Sequence, residues 1–220
     1  MSELLSKQPV IDVETELEKY EHEARYRKGL SGFWGQVVRW VLILMSVFQL
    51  YTAGFGLLPQ FEQRVVHLAF LVTAIFLLYP GSRKAPRGKP GWLDVTLAVL
   101  SIMTLFALFP MLSSMEARGF GITTFEMVVS GAIMLLMLEA CRRTVGPELP
   151  ILSVIFLLYA KFGPYFPGFL QHRGYSVPRI LEQIVVSYSG IFGVALGLSA
   201  TFIFLFVLFG AFMSATGLSE

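Results

Sequence analysis

Charge is crowded into one end of this chain. Twelve of its 32 Asp, Glu, Lys and Arg side chains fall within the first 33 positions, leaving 20 for the 187 that follow. Soluble domains are about 25% charged and about 45–50% apolar. Here the figures are 15% and 55%, and mean hydropathy is +0.67. A stretch of that length and composition has too little polar surface to cover a globule in water, so its solvent must be lipid.

The same composition excludes several functions. Net charge is only +2, and no basic stripe with interleaved aromatics accompanies it, so nucleic acid is not an expected partner. Cys141 is the single cysteine, which rules out an intrachain disulfide and a zinc site built on thiolates. Residues 1–33 lack the apolar core of a secretory signal and are expected to form an extramembrane tail.

Six apolar windows follow, at 34–53, 65–79, 92–112, 124–141, 149–166 and 196–213. A helix rises about 1.5 Å per residue, so about 20 residues cross about 30 Å of hydrocarbon. The expected fold is therefore all-α and polytopic, with about six spans. Asp94 opens the third window and Pro110 closes it, where a charge and a missing donor cost least. Short connectors rich in Gly, Pro, Ser and charge separate the windows. With the N-terminus inside, nine Lys and Arg residues near the spans (Arg25, Arg27, Lys28, Arg83, Lys84, Arg87, Lys89, Arg142 and Arg143) fall on inner segments and four on outer ones. That asymmetry, with Trp34, Trp40 and Trp92 at inner helix ends, predicts a cytoplasmic N-terminus.

Two extramembrane helices are expected. Over 12–28 carboxylates precede cations, which complements the helix dipole and supplies ion pairs at helical spacing. Over 178–188, Ile180, Leu181, Ile184, Val185 and Tyr188 share one face, the pattern of a helix lying along the outer interface. The chain thus divides into a charged helical cytoplasmic tail at 1–33, a four-span unit at 34–141, and at 142–220 a linking span, an outer amphipathic helix and a last span.

Few side chains suggest chemistry. Lys161 lies about 18 Å along its span from Leu149, where an amine could hold an anionic headgroup or substrate. The preferred reading is that the helix breaks at Gly163-Pro164 and the amine snorkels to the outer surface. Glu139, Arg142 and Arg143 are spaced to pair within one helix; the two arginines could also hold an anionic lipid or a neighbouring subunit, although a positive-inside anchor is preferred. Glu126 could serve as a proton or cation ligand, but as a first-turn acid it equally complements the helix dipole. His172 and Arg173 in the outer segment complete the set of candidate interface or lipid contacts. His22, His67 and His172 lie in separate segments with no two-histidine metal face, and no nucleophile elbow or P-loop occurs. Ser199 and Thr201 read as packing and backbone-bonding groups. A multispan scaffold without a reaction centre is expected. A membrane-integral enzyme or lipid-handling protein using Lys161, Glu126 or His172 is one alternative, and a standalone channel or interaction subunit is another.

From Arg142-Arg143 onward a family resemblance emerges. Leu149-Pro150, Phe156-Leu157-Leu158-Tyr159, Phe162-Gly163-Pro164, Pro167-Gly168 and His172-Arg173-Gly174-Tyr175 are followed by Gly190-Ile191-Phe192-Gly193, Ser199-Ala200-Thr201 and Phe206-Val207-Leu208-Phe209-Gly210. The sequence resembles the fused permeases of TRAP transporters, in particular the TAXI-type branch, in which a small four-helix subunit is joined to the large transport subunit. The resemblance implies a multi-pass protein of a bacterial or archaeal inner membrane without cofactors. Its implied role is the scaffold part of a secondary transporter that takes up organic anions by symport. The implied partners are membrane lipids, a periplasmic solute-binding protein, sodium or protons as the coupling ion, and the remainder of the large subunit, of which this chain would hold the first helices. Lys161 stands where that family's pattern calls for an apolar residue, so no role carries over to it.

Overall fold

The computed structural model describes residues 26, 27, 29, 30, 32–82, 88–119 and 121–218. The helix expected over 12–28 lies outside them, apart from Tyr26 and Arg27, which are not helical. Everything else described is helix, turn or loop, with no strand among the described residues. The helices are α1 (Gly32–Phe55), α2 (Gln60–Leu78), α3 (Trp92–Phe106), α4 (Leu108–Arg118), α5 (Thr124–Thr144), α6 (Glu148–Phe162), α7 (Val177–Leu181), α8 (Val194–Leu198) and α9 (Phe204–Ala215). Among the described residues, five stretches are long and apolar enough to cross a membrane: α1, α2, the joined α3 and α4, α5, and Val194–Ala215. The protein is an all-helical polytopic membrane protein.

The linking span departs from expectation. Instead of 149–166, the helix ends at Phe162 and gives way to 3-10 turns at Gly163–Tyr165 and Gly168–Leu170. Pro164 has no N–H to donate back into the helix. Fifteen residues rise about 22 Å, short of a full hydrocarbon thickness. The chain nevertheless changes ends here. Thr144 closes α5 beside Tyr79 and Asp94, whereas Tyr188 and Phe192 pack on Phe61 at the opposite end of α2, with ring centroids at 5.9 and 4.6 Å. Five full-length crossings are therefore accompanied by one shortened passage, in place of six equivalent spans.

Two other elements differ. The third window does not stop near Pro110. The missing N–H falls at a turn on Ala107, after which α4 continues to Arg118 and ends on Gly119, whose left-handed φ of 75° suits glycine. The expected amphipathic helix at 178–188 is α7 followed by a π-helical turn, Glu182–Val186, and stops before Tyr188. Its apolar side faces the core, with Leu181 and Val185 buried. This segment packs against α5 rather than floating at an interface. An amphipathic pattern shows which face is apolar, and both a lipid boundary and a neighbouring helix satisfy it.

α2 is the central helix, with eleven of its 19 residues buried. Val65, Val72 and Phe76 carry the core there, together with Leu105, Leu108, Ile133 and Phe192. The peripheral α9 buries no residue, and α6 buries only Pro150. Lipid tails are as apolar as leucine, so burial of such faces supplies little drive for helix association. Packing shape and interhelical polar bonds must then set how the helices sit, which gives weight to the polar groups inside the bundle.

Candidate functional site

At the end of the bundle where α2 finishes and α3 begins, four segments meet through ionised groups. Asp94 opens α3 and accepts the Gly91 N–H at 2.9 Å, closing a capping arrangement. Its other contacts come from far along the chain. The Arg27 guanidinium reaches one carboxylate oxygen at 2.6 Å and the Arg143 guanidinium reaches the other at 2.7 Å. Arg27 also donates to the Leu77 carbonyl at 2.7 Å, and Arg143 donates to that of Tyr79 at 3.1 Å. Glu139 takes the Arg143 Nε at 2.7 Å and the Arg142 Nε at 2.7 Å, so the helical pairing expected on α5 forms. Arg142 in addition donates to the Gly81 carbonyl at 3.0 Å. The Arg143 guanidinium lies over the Phe76 ring, 5.0 Å from its centroid.

These positions separate the two arginines. Arg143 has a side chain 4% exposed, so its charge meets Asp94 and Glu139 and no lipid. Arg142 is 43% exposed and retains a face toward the surroundings. At the opposite end Glu126 is fully engaged: Arg118 at 2.6 Å, Ser114 Oγ at 3.1 Å and the Thr123 N–H at 2.7 Å all meet its carboxylate. Thr123 and Glu126 form a capping box, and the carboxylate keeps no free oxygen for a cation.

Lys161 is exposed, its ammonium 5.7 Å from the Phe162 ring, and it has no ion pair among the described residues. Arg173 is exposed as well and stacks over Tyr175 at 5.6 Å. His172 is partly buried and works as a staple. Its Nδ1 accepts the Gly174 N–H at 3.1 Å, so the proton belongs on Nε2, which donates to the Tyr159 carbonyl at 3.0 Å. The Tyr175 N–H returns to the Ala160 carbonyl at 2.9 Å, folding the outer loop onto the end of α6. Gly163 is required beside it, since a Cβ there would fall 2.1 Å from the imidazole.

A third cluster was not foreseen. Gln49 and Thr52 on α1, Gln63 and His67 on α2, and Ser199 and Ala200 from the last span share a buried seam. Gln49 Nε2 donates to His67 Nδ1 at 2.6 Å, which leaves His67 Nε2 as donor to Ser199 Oγ at 3.1 Å. Gln63 Nε2 lies 3.2 Å from Thr52 Oγ1 and 3.4 Å from both Gln49 Oε1 and the Ala200 carbonyl. That carbonyl belongs to a π-helical turn, Ser199–Ile203, where the widened ring breaks the regular helical bond pattern. Beside the seam Arg64 donates to the Phe192 carbonyl and sits over Tyr188, and Gly197 leaves room for it. Thr201 bonds its own helix at the Gly197 carbonyl. The signal in the sequence was polar spacing: Gln49 with Thr52 at i, i+3 and Gln63 with His67 at i, i+4 put two polar pairs on single faces of apolar spans.

The seam predicts a measurable loss. Replacing His67 with Leu removes both ring nitrogens and leaves the Gln49 amide without an acceptor. Interhelical bonds in membrane proteins contribute about 0.6 kcal/mol on average and up to about 1.7. His67→Leu should therefore destabilise the detergent-solubilised protein by about 1–2 kcal/mol, seen as a lower thermal midpoint, while Thr201→Ala should move it less. An unchanged midpoint for His67→Leu would count against the seam.

Among the described residues no group of His, Cys, Asp and Glu is arranged to hold a metal ion. Asp94 with Arg143 joins α3 to α5, whereas His67 with Ser199, Gln63 with the Ala200 carbonyl and Arg64 with the Phe192 carbonyl join α2 to the residues after α5. No curated protein and no solved structure matches the chain. Residues 132–220, the last 89 of the 220, match the family model of the DctM component of the tripartite ATP-independent periplasmic (TRAP) transporters, and it is this similar segment that supplies Glu139, Arg143, His172 and Ser199.

Proposed function

We propose that the protein is a membrane component of a TRAP transporter of the TAXI type, the scaffold part of a secondary transporter. It would work in ion-coupled uptake of organic anions delivered by a periplasmic solute-binding protein. Residues 34–141 then act as the small-subunit-like unit and 142–220 as the opening part of the large transport subunit, with the N-terminus in the cytoplasm. The similarity of 132–220 to the DctM component carries this reading. The architecture is compatible with a scaffold: a transport domain that moves through the bilayer needs a partner wide enough in lipid to resist tilting, and the first four spans provide one that is bonded through Gln63, Arg64 and His67 to the residues after α5. The outer loop around His172 is then available to brace a moving element or meet the binding protein.

Uptake tests this. In cells that express the cognate binding protein, deleting this chain should abolish binding-protein-dependent accumulation of an organic anion. Undiminished accumulation would reject the assignment. Reconstituted alone in liposomes, the chain should pass no solute, and any sustained flux would favour a channel. Substitution of Lys161, Glu126 or His172 would cost a membrane-integral enzyme its activity while its assembly persists, whereas a scaffold tolerates these changes.

A further inference from the structure

One face of α1 forms an open groove of about 520 Å³ lined by Arg39, Leu42, Ile43, Val47 and Leu50, with Leu78 of α2 as its neighbour. The groove is apolar along its length and basic at one end. Arg27 closes that end, but its guanidinium is committed to Asp94 and the Leu77 carbonyl. Arg39 is different: it is exposed, and among the described residues it has no ion pair and no hydrogen bond.

Distance and direction identify what fits. Arg39 lies seven residues past the start of α1, about 10 Å along the axis and next to Trp40, the level at which a guanidinium meets lipid headgroups. Helical side chains lean toward the N-terminus, so Arg39 points back to the start of α1, where Trp34 lies. Leu42 to Leu50 run the other way. From Arg39 to Leu50 is about 16 Å, close to the thickness of one leaflet. A packed apolar helix would cover the groove and strand the guanidinium without a counter-charge, whereas a lipid brings a phosphate at one end and a chain of the right length behind it.

We propose that this groove holds an acyl chain of an anionic phospholipid whose phosphate pairs with Arg39. The planar guanidinium suits two phosphate oxygens at once. A zwitterionic lipid offers the same phosphate but carries its own cation, so the site prefers a headgroup with net negative charge. The inference depends on the membrane location of α1 and not on the transport assignment.

Native mass spectrometry of the full chain, released from detergent after incubation with phosphatidylglycerol or phosphatidylcholine of identical chains, tests it. The unaltered protein should retain phosphatidylglycerol preferentially. Arg39→Gln should lower that retention about fivefold and leave phosphatidylcholine unchanged, whereas Arg179→Gln, whose guanidinium is already paired with Glu182, should change neither. Val47→Trp, which fills the groove and keeps the charge, should reduce both lipids, and it carries the test if Arg39→Gln does not fold. Equal retention of the two lipids by the unaltered protein would overturn the proposal. So would an intact preference in Arg39→Gln, inorganic phosphate that displaces the lipid as well as excess phosphatidylglycerol does, or cross-linking of Ile43→Cys into a dimer that excludes lipid.

Discussion

Asp94→Ala should be among the most damaging single substitutions in this protein. Its carboxylate is 7% exposed and stands between two guanidiniums whose side chains are 0% and 4% exposed. Removing one member of a buried ion-pair network leaves the others charged and uncompensated, which costs about 3–5 kcal/mol. Here the loss comprises both ion pairs and the cap on α3. Expected outcomes are a large fall in monodisperse protein after detergent extraction and, for what is recovered, a thermal midpoint well below that of the unaltered chain. Asp94→Asn keeps an oxygen for the Gly91 N–H and should fall between the two. Arg27→Ala and Arg143→Ala share the same carboxylate, so their combined cost should depart from the sum of the single costs. If Asp94→Ala were extracted and melted like the unaltered protein, the network would have no part in holding α2, α3 and α5 together.

The network also shows where helical spacing stops being informative. Glu139, Arg142 and Arg143 are three and four residues apart on one helix, and their pairing follows from that separation alone. Asp94 and Arg27 lie 49 and 116 positions from Arg143, and it takes the packing of α3 against α5 and the bonding of Arg27 to the end of α2 to gather them. The charge distribution exposed the lipid-solvated character of the chain for the same reason: solvation depends on composition. Contacts between distant segments do not. Gln49 and His67 each look like isolated polar interruptions until the last span supplies Ser199. The π-helical turn that aims the Ala200 carbonyl at Gln63 has no residue signature in Ser199-Ala200-Thr201. Within α6, the apolar run through Phe166 outlasted the helix, and Pro164 was the better guide to its end.

The second large effect should come from Gly190. Ser187 to Gly193 form a tight turn that returns the chain onto the preceding π-helical turn, and the Ile191 N–H donates to the Ile184 carbonyl at 2.7 Å. A Cβ on residue 190 would lie 2.0 Å from that carbonyl oxygen and 2.5 Å from its carbon. These are backbone atoms, so no side chain can swing aside to relieve the overlap, and Gly190→Ala has to separate the two turns. The displaced neighbour is Phe192, whose ring is fully buried against Phe61 and whose carbonyl holds Arg64. Beyond it begins α8, which leads to Ser199. Overpacking of this kind costs about 1–3 kcal/mol where a core can adjust and more where it cannot; with backbone on both sides the upper part of that range applies. Gly190→Ala should therefore lower the thermal midpoint more than His67→Leu does. It should also loosen the last span from α2, so that the thiol of Ser199→Cys, tested together with Cys141→Ser, reacts faster with a water-soluble maleimide when alanine is added at 190. Gly210→Ala is the control: a Cβ at residue 210 meets nothing within 4 Å, so that variant should melt and react as the parent does. Parent-like behaviour in Gly190→Ala would mean that the two turns do not approach this closely in the membrane.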